Sequence, residues 1–231
     1  MIIMSSKTTK KLLYTLCILS YIGIIISYGF LPEVIPTHWN FEGIIDDYSN
    51  KKMIFILGII PIIMMLLFDK LPNLDPKKQN YAKHQKAYGI VQLLIVLLMI
   101  LLSWITIAVS LGMELKINVI IPVFIGIIFI VMGNYMPTIK PNYFFGIRTP
   151  WTLANETVWK KTHKIGGYAF AISGILFLII AFVTIEEIMI GCIILMFILL
   201  MSVSAYSYVI FRKENKRGCK KTPLNEKSLK S

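Results

Sequence analysis

Charged residues are scarce in this sequence. They make up 16% of the chain, whereas hydrophobic residues make up 56%, and the mean hydropathy is +0.71. Soluble domains usually contain about 25% charged residues. The composition therefore excludes an ordinary water-soluble protein and indicates an integral membrane protein.

The sequence also lacks the residue patterns of common enzymes and of disulfide-rich proteins. Its three cysteines, Cys17, Cys192 and Cys219, fall in separate segments and provide no extracellular disulfide framework. Neither a His-Glu-x-x-His motif nor a Gly-x-Ser-x-Gly motif occurs. We therefore predict that the protein is not an enzyme and has no catalytic residues, no metal site and no cofactor.

Long charge-free segments predict six transmembrane helices. Five of these segments hold at least 21 residues, and spanning a bilayer takes about 20. They lie between Lys11 and Glu33, Lys86 and Glu114, Lys116 and Lys140, Lys164 and Glu186, and Glu187 and Arg212. A sixth segment, between Lys52 and Asp69, holds 16 residues and contains Pro61. It spans if its helix also includes Tyr48 to Asn50 while Lys51 and Lys52 snorkel, and if neighbouring helices or Ser/Thr side chains satisfy the carbonyl that the proline frees. The predicted fold is all-α and polytopic.

The distribution of basic residues predicts the orientation. Of the 24 Lys and Arg residues, 21 fall on the side that holds both termini and 3 on the other. By the positive-inside rule both termini are cytoplasmic, and the net charge of +12 follows from topology without direct nucleic-acid binding. A cleaved signal peptide is the alternative for the N-terminus, but the apolar stretch there is longer than a typical signal-peptide core.

Six spans divide the chain into two halves of three helices. The N-terminal half covers residues 1–113 with an extracytoplasmic loop at 31–52, and the C-terminal half covers 114–211 with a cytoplasmic loop at 137–166. A basic cytoplasmic tail, 212–231, follows. Both loops contain paired prolines and then a Gly-Ile pair, which is compatible with an inverted three-plus-three repeat. The match is short and gapped, so coincidence is the alternative.

The loop at 137–166 contains most of the candidate site residues. They are Pro141, Asn142, Tyr143, Phe144, Gly146, Arg148, Thr149, Pro150, Trp151, Thr152, Asn155, Trp159 and His163. Gly146 predicts a tight turn with positive φ. Thr149 followed by Pro150 predicts a helix start, and Asn155 predicts a second.

A four-residue spacing relates Trp151, Asn155, Trp159 and His163. On one continuous helix these side chains share a face, which predicts an interfacial helix on the inner leaflet with its tryptophans at the headgroup level. A Glu156–Lys160 pair is expected beside them.

Arg148 is the only arginine before residue 212. Its planar guanidinium favours recognition of a carboxylate or phosphate group. The alternative is a simple inside-positive charge.

The loop at 31–52 contains the other candidate residues. They are Pro36, His38, Trp39, Asn40, Gly43 and Asp46. His38, Glu42 and Asp46 have the spacing of metal ligands on a helix, but Pro36 and Gly43 favour an irregular loop, so we expect no metal here. The loop is instead predicted to be a solvated acidic surface suited to a cationic peptide.

Residues 141–163 resemble the signature of the SdpI family of bacterial membrane proteins, in particular the run Asn-Tyr-Phe-Phe-Gly-Ile-Arg-Thr-Pro-Trp-Thr-Leu. Residues 31–52 resemble the companion N-terminal domain of unknown function that often precedes it. The two resemblances cover about residues 12–68 and 117–211. They imply a multi-pass immunity protein of the bacterial cytoplasmic membrane that protects against a secreted peptide toxin. They also imply that it senses the toxin by sequestering a cytoplasmic transcriptional repressor. The expected partners are therefore membrane lipids, the toxin and the repressor.

A small-solute or lipid transporter is the alternative function. No carboxylate lies within a predicted span, which disfavours a proton-coupled transporter. Ser103 and Asn134 are the notable polar residues at membrane depth, and we expect them to cross-link helices.

Overall fold

The chain forms a helical bundle with one small β-hairpin. The computed structural model describes the backbone of residues 6–221 and the side chains of residues 7–217. Within this part, six helices are long and apolar enough to cross a membrane. They are α1 (Ser6–Ser27), α2 (Met53–Leu74), α3 (Gln85–Ser110), α4 (Ile117–Tyr135), α6 (Glu156–Ile180) and α7 (Glu186–Lys221); a short α5 (Pro150–Ala154) precedes α6. The predicted polytopic helical fold is confirmed.

Apolar side chains cover the outside of the bundle. Leu19 and Ile26 on α1 and Phe197 on α7 are 59%, 65% and 66% exposed. Such a surface is unstable in water and is solvated by lipid tails. The protein is thus a multi-pass membrane protein.

Successive long helices run in alternate directions, so the bundle has two ends. One end, which we call the motif end, contains residues 136–149 and the 3-10 segment Lys78–His84. Both ends of the described chain lie at the motif end. Lys10, in the first turns of α1, is paired with Asp69 near the end of α2 at 2.6 Å. Glu214, near the end of α7, is paired with Lys161 in the first turns of α6 at 2.8 Å. The opposite end, the hairpin end, contains residues 31–52.

The prediction of an irregular loop at the hairpin end is wrong. Strands β1 (Val34–Trp39) and β2 (Ile45–Asn50) pair antiparallel, with irregularities in register between Pro36 and His38 and between His38 and Trp39. These bulges accommodate a proline in the strand. Because residues 48–50 belong to β2, α2 does not recruit them as predicted; it gains its length at the other end, up to Leu74.

Pro61 lies inside α2, as predicted. A proline removes the hydrogen bond to the carbonyl four residues earlier, here that of Leu57. The Ser103 hydroxyl of α3 lies 3.1 Å from this oxygen and donates to it. Ser103 therefore links two helices, which confirms the role predicted for it.

Four glycines bring α4 and α6 into close contact. A Cβ added at Gly126 would lie 2.8 Å from the Gly174 carbonyl oxygen, and one at Gly133 would lie 2.6 Å from that of Gly167. The members of each pair of glycines on one helix are seven residues apart, which places them on one face. Small residues on such a face allow helix backbones to approach closely in a membrane.

Candidate functional site

Asn142 organises the loop at the motif end. Its side chain is fully buried, and its Nδ2 donates to the Lys140 and Phe145 carbonyls, each at 2.8 Å. Its Oδ1 accepts from the Phe144 and Phe145 backbone N–H groups at 3.0 and 2.6 Å. One asparagine thus satisfies four backbone groups of a loop that has no regular structure of its own.

Asp75, in the N-terminal half, holds this loop from the other side. Its carboxylate is 2% exposed, and its Oδ2 accepts from the Tyr143 backbone N–H at 2.8 Å and from the Tyr81 hydroxyl at 3.1 Å. Nearby, Asn80 Nδ2 donates to the Pro141 carbonyl at 2.8 Å. The motif is therefore anchored on both halves of the protein.

Sequence reasoning missed Asp75, Asn80 and Tyr81. One signal was present: Asp75 is the only acidic residue in the lysine-rich segment 70–86. The partners of these three residues in the motif are 61 to 68 residues away in the chain. No local pattern identifies such partners.

Gly146 and His163 fit together at the base of the motif. Gly146 has φ +105°, as predicted, and a Cβ there would lie 2.5 Å from His163 Nε2. That nitrogen accepts from the Ile147 backbone N–H at 3.1 Å, and Nδ1 lies 2.9 Å from the Trp159 carbonyl. The ring is therefore neutral, with its proton on Nδ1 donated to Trp159.

The predicted interfacial helix is wrong. Asn155 ends α5 and caps α6, so Trp151 and Trp159 lie on different helices. Trp159 and His163 are fully buried inside the bundle rather than at the headgroup level, and the Trp159 indole N–H donates to the Ile139 carbonyl at 2.8 Å. The four-residue spacing runs across the helix break at Asn155, so that of the four residues only Trp159 and His163 pack together on one helix.

The predicted helix starts are confirmed. Thr149 and Thr152 form a reciprocal capping box with Pro150 at the first turn, and Asn155 Oδ1 accepts from the Thr157 and Val158 N–H groups. The Thr149 hydroxyl also lies 3.0 Å from that of Ser207 on α7. Trp151 packs on Tyr208, with 5.0 Å between the ring centroids, and Glu156 pairs with Lys160 at 2.9 Å as expected.

Some residues of the motif remain accessible. Tyr143 and Phe144 are 41% and 38% exposed, and Arg148 is exposed as well. Arg148 Nη1 donates to the Tyr143 carbonyl at 2.5 Å. Among residues 7–217, no carboxylate lies within 4.0 Å of its guanidinium. These side chains form the surface of the motif that a partner can contact.

The hairpin end presents a tight turn with apolar and acidic side chains. Asn40 Oδ1 accepts from the Glu42 and Ile44 N–H groups at 3.0 and 2.9 Å, and Gly43 has φ +80°. Phe41 and Ile44 at this turn are 77% and 58% exposed.

Polar side chains pair on and beside the two strands. His38 Nδ1 lies 2.6 Å from Asp46 Oδ1, and Lys51 pairs with Glu33 at 2.9 Å, which raises the pKa of Lys51. Within the described side chains, no three His, Cys, Asp or Glu residues group as metal ligands.

The turn of the hairpin touches the C-terminal half, whereas Ile35 of β1 packs in the core of the N-terminal half. A Cβ at Gly43 would lie 3.0 Å from the Asn118 backbone nitrogen, at the start of α4. A cavity of about 310 Å³ separates the rest of the hairpin from the helix ends, and Trp39, Asn118 and Val183 line it. Thus each half sends one segment across to the other, the hairpin at one end and the motif at the other.

Comparison with known proteins gives two family matches. Residues 138–209 match the SdpI/YfhL protein family, and residues 15–72 match a domain of unknown function (DUF1648). The chain is 34% identical over 197 residues to "Immunity protein SdpI" of Bacillus subtilis (strain 168), covering 85% of this chain and 93% of that protein. No solved structure matches the chain.

Proposed function

The chain belongs to the SdpI/YfhL protein family, and from this we propose that it is a membrane immunity protein that protects a bacterium against an extracellular peptide toxin. The observation that carries the proposal is the near full-length similarity to a protein named for immunity. Because 93% of that relative is covered, the likeness includes the hairpin end as well as the motif end. The proposed role is not enzymatic.

The hairpin end is the surface that we propose to receive the toxin. The charge asymmetry of the loops favours this end as the extracytoplasmic one. Its turn exposes Phe41 and Ile44 beside Glu42, a combination that suits a cationic, amphipathic peptide. The hairpin also contacts the start of α4, so that binding there acts on both halves.

The motif end is the surface that we propose for signalling to the cytoplasm. Tyr143, Phe144 and Arg148 are exposed around a loop whose backbone is fixed by buried groups. Aromatic and arginine side chains are common anchors of protein interfaces. A cytoplasmic repressor is the partner that the family resemblance implies for this surface.

Survival of a toxin-sensitive bacterium that expresses the protein tests this proposal. We expect the wild type to protect, and we expect combined Phe41→Ser and Ile44→Ser to abolish protection at an unchanged membrane level. Phe182→Ser is the matched control, because Phe182 is 74% exposed but lies outside the hairpin. Absence of protection by wild-type protein that accumulates in the membrane contradicts the immunity role. Full protection by the hairpin variant contradicts the hairpin as the receiving surface.

A transporter is the competing function, and flux distinguishes it. Protection without any substrate-dependent flux in proteoliposomes is the result that immunity predicts. Flux without protection would favour transport.

A further inference from the structure

A basic cavity at the motif end opens beside the site described above and shares Asn80, Pro141 and Thr152 with it. Its volume is about 450 Å³, and it opens between the segment 77–83, the start of the motif loop and the α5–α6 junction. Lys77, Lys83 and Lys140 line it together with Asn80, Thr152 and Glu156. Both halves of the protein therefore contribute to its wall.

The lining of the cavity carries a net positive charge, with three lysines and one glutamate. Among the described side chains, no carboxylate lies within 4.0 Å of the ammonium groups of Lys77, Lys83 or Lys140. The one acidic lining residue, Glu156, is paired with Lys160 at 2.9 Å. The three lysines that line this space repel each other, and an anion bound among them lowers that repulsion; Lys77 Nζ also lies over the Tyr143 ring, 5.5 Å from its centroid.

Buried groups fix the backbone that carries these lysines. The Lys77 backbone N–H donates to Asp75 Oδ1 at 2.7 Å, and that of Lys140 donates to His84 Nδ1 at 3.2 Å. The Asn80 side chain ties this wall to Pro141. Lys77 and Lys140 are half-buried, so their ammonium groups have less freedom than lysines on an open surface.

We propose that this cavity binds a phosphate group and thereby clamps the two halves together. Ammonium groups are strong donors to phosphate oxygens, and two or three of them match a charge of one to two on phosphate. The cavity lies at the end of a membrane bundle, where basic pockets bind headgroups of anionic lipids. The phosphate group comes either from such a headgroup or from a soluble phosphate compound.

Thermal unfolding of the full chain in lipid nanodiscs tests the proposal. The wild type is compared in phosphatidylcholine alone and in phosphatidylcholine with phosphatidylglycerol, and a rise in Tm is expected with the anionic lipid. A second arm adds inorganic phosphate in place of chloride, at constant ionic strength, to the phosphatidylcholine discs. A rise only with phosphatidylglycerol identifies a lipid headgroup as the source, and a rise with inorganic phosphate identifies a soluble one.

Two variants with the same change in net charge distinguish anion binding in the cavity from non-specific attraction of anions to basic residues. The cavity variant is Lys77→Gln, Lys83→Gln and Lys140→Gln. The control is Lys11→Gln, Lys70→Gln and Lys213→Gln, at the same end but outside the cavity. We expect the cavity variant to lose most of the rise in Tm and the control to keep it. An equal rise in both variants, or no rise in the wild type, overturns the proposal.

If the triple variant does not fold, a single substitution at an exposed position still tests the proposal. Lys83→Gln alters a side chain that is exposed and makes no ion pair among the described residues, so we expect it to fold. It is expected to lose part of the rise, whereas Lys70→Gln loses none. Equal rises in these two single variants also overturn the proposal.

Discussion

At the scale of a single residue, Trp159 is buried and hydrogen-bonded. Its indole N–H donates to the Ile139 carbonyl, and its ring stacks on His163 with 4.1 Å between centroids. It thus connects the first turns of α6 to the beginning of the motif loop. A tryptophan at the headgroup level has no such fixed partners.

We expect Trp159→Phe to destabilise the protein by about 1–3 kcal/mol, because the buried Ile139 carbonyl loses its donor. Denaturant unfolding in detergent micelles measures this change. Trp104→Phe is the control, because the acceptor of the Trp104 indole N–H is the Ser20 hydroxyl, 2.9 Å away, which can still donate its own proton to a helix carbonyl when the indole is lost. Equal stability of the Trp159 variant and the wild type would show that the indole hydrogen bond does not contribute to the free energy of unfolding.

Arg148 differs from Trp159 because it is exposed and its guanidinium contacts only the Tyr143 carbonyl among the contacts described. We expect Arg148→Lys to reduce protection more than it reduces membrane level or orientation. The charge survives this change, whereas the planar donor group does not. Survival and membrane level are measured together, with Lys160→Arg as the control at an exposed site nearby. Unchanged protection would show that Arg148 contributes only a positive charge that favours the cytoplasmic side.

At the scale of helices, the contact between α4 and α6 depends on glycine. A methyl group at Gly133 meets the Gly167 carbonyl and the Ala171 backbone, neither of which can move without separating the helices. At Gly191 on α7, an added Cβ meets nothing within 4 Å. The two positions therefore form a matched pair within membrane helices.

We expect Gly133→Ala to lower Tm and Gly191→Ala to leave it unchanged or raise it, because alanine favours helix more than glycine does. Thermal unfolding in the same detergent measures both. A Gly133 variant as stable as the Gly191 variant would mean that α4 and α6 do not require this close approach.

The helices were predictable from the sequence because hydrophobicity and charge are local properties. The six spans, the cap at Thr149 and Asn155, and the turn at Gly146 each depend on a few neighbouring residues. The sequence also contains a signal for the close contact of α4 and α6. Gly126 and Gly133 are seven residues apart, as are Gly167 and Gly174. That signal became meaningful only when the two helices were seen to face each other.

The features that were not predicted from the sequence depend on contacts between segments that are distant in the chain. The hairpin was missed because Pro36 opposes a strand assignment, and the bulges that accommodate it form only when β1 meets β2. The junction between Asp75 and the motif joins residues 68 apart. The interfacial helix was predicted from a spacing that ignored the break at Asn155, even though Asn155 itself signalled a helix start.

At the scale of the whole molecule, two halves exchange segments across their boundary. The hairpin of the first half touches the start of α4, and the motif of the second half is held by Asp75 and Asn80. An event at one end therefore has a packed and hydrogen-bonded route to both halves. Coupling of toxin binding outside to repressor binding inside needs such a route, and the proposal of a sensory role depends on it.

Photocrosslinking in intact cells tests most directly whether the toxin is received at the hairpin end. A photoreactive amino acid replaces Phe41 in one variant and Tyr143 in another, and the killing peptide against which the wild type protects is added from outside. The account predicts a crosslink to the peptide at position 41 and none at position 143, because we propose that the hairpin is extracytoplasmic and the motif cytoplasmic. A crosslink at position 143 with none at position 41 would contradict both the orientation and the receiving surface.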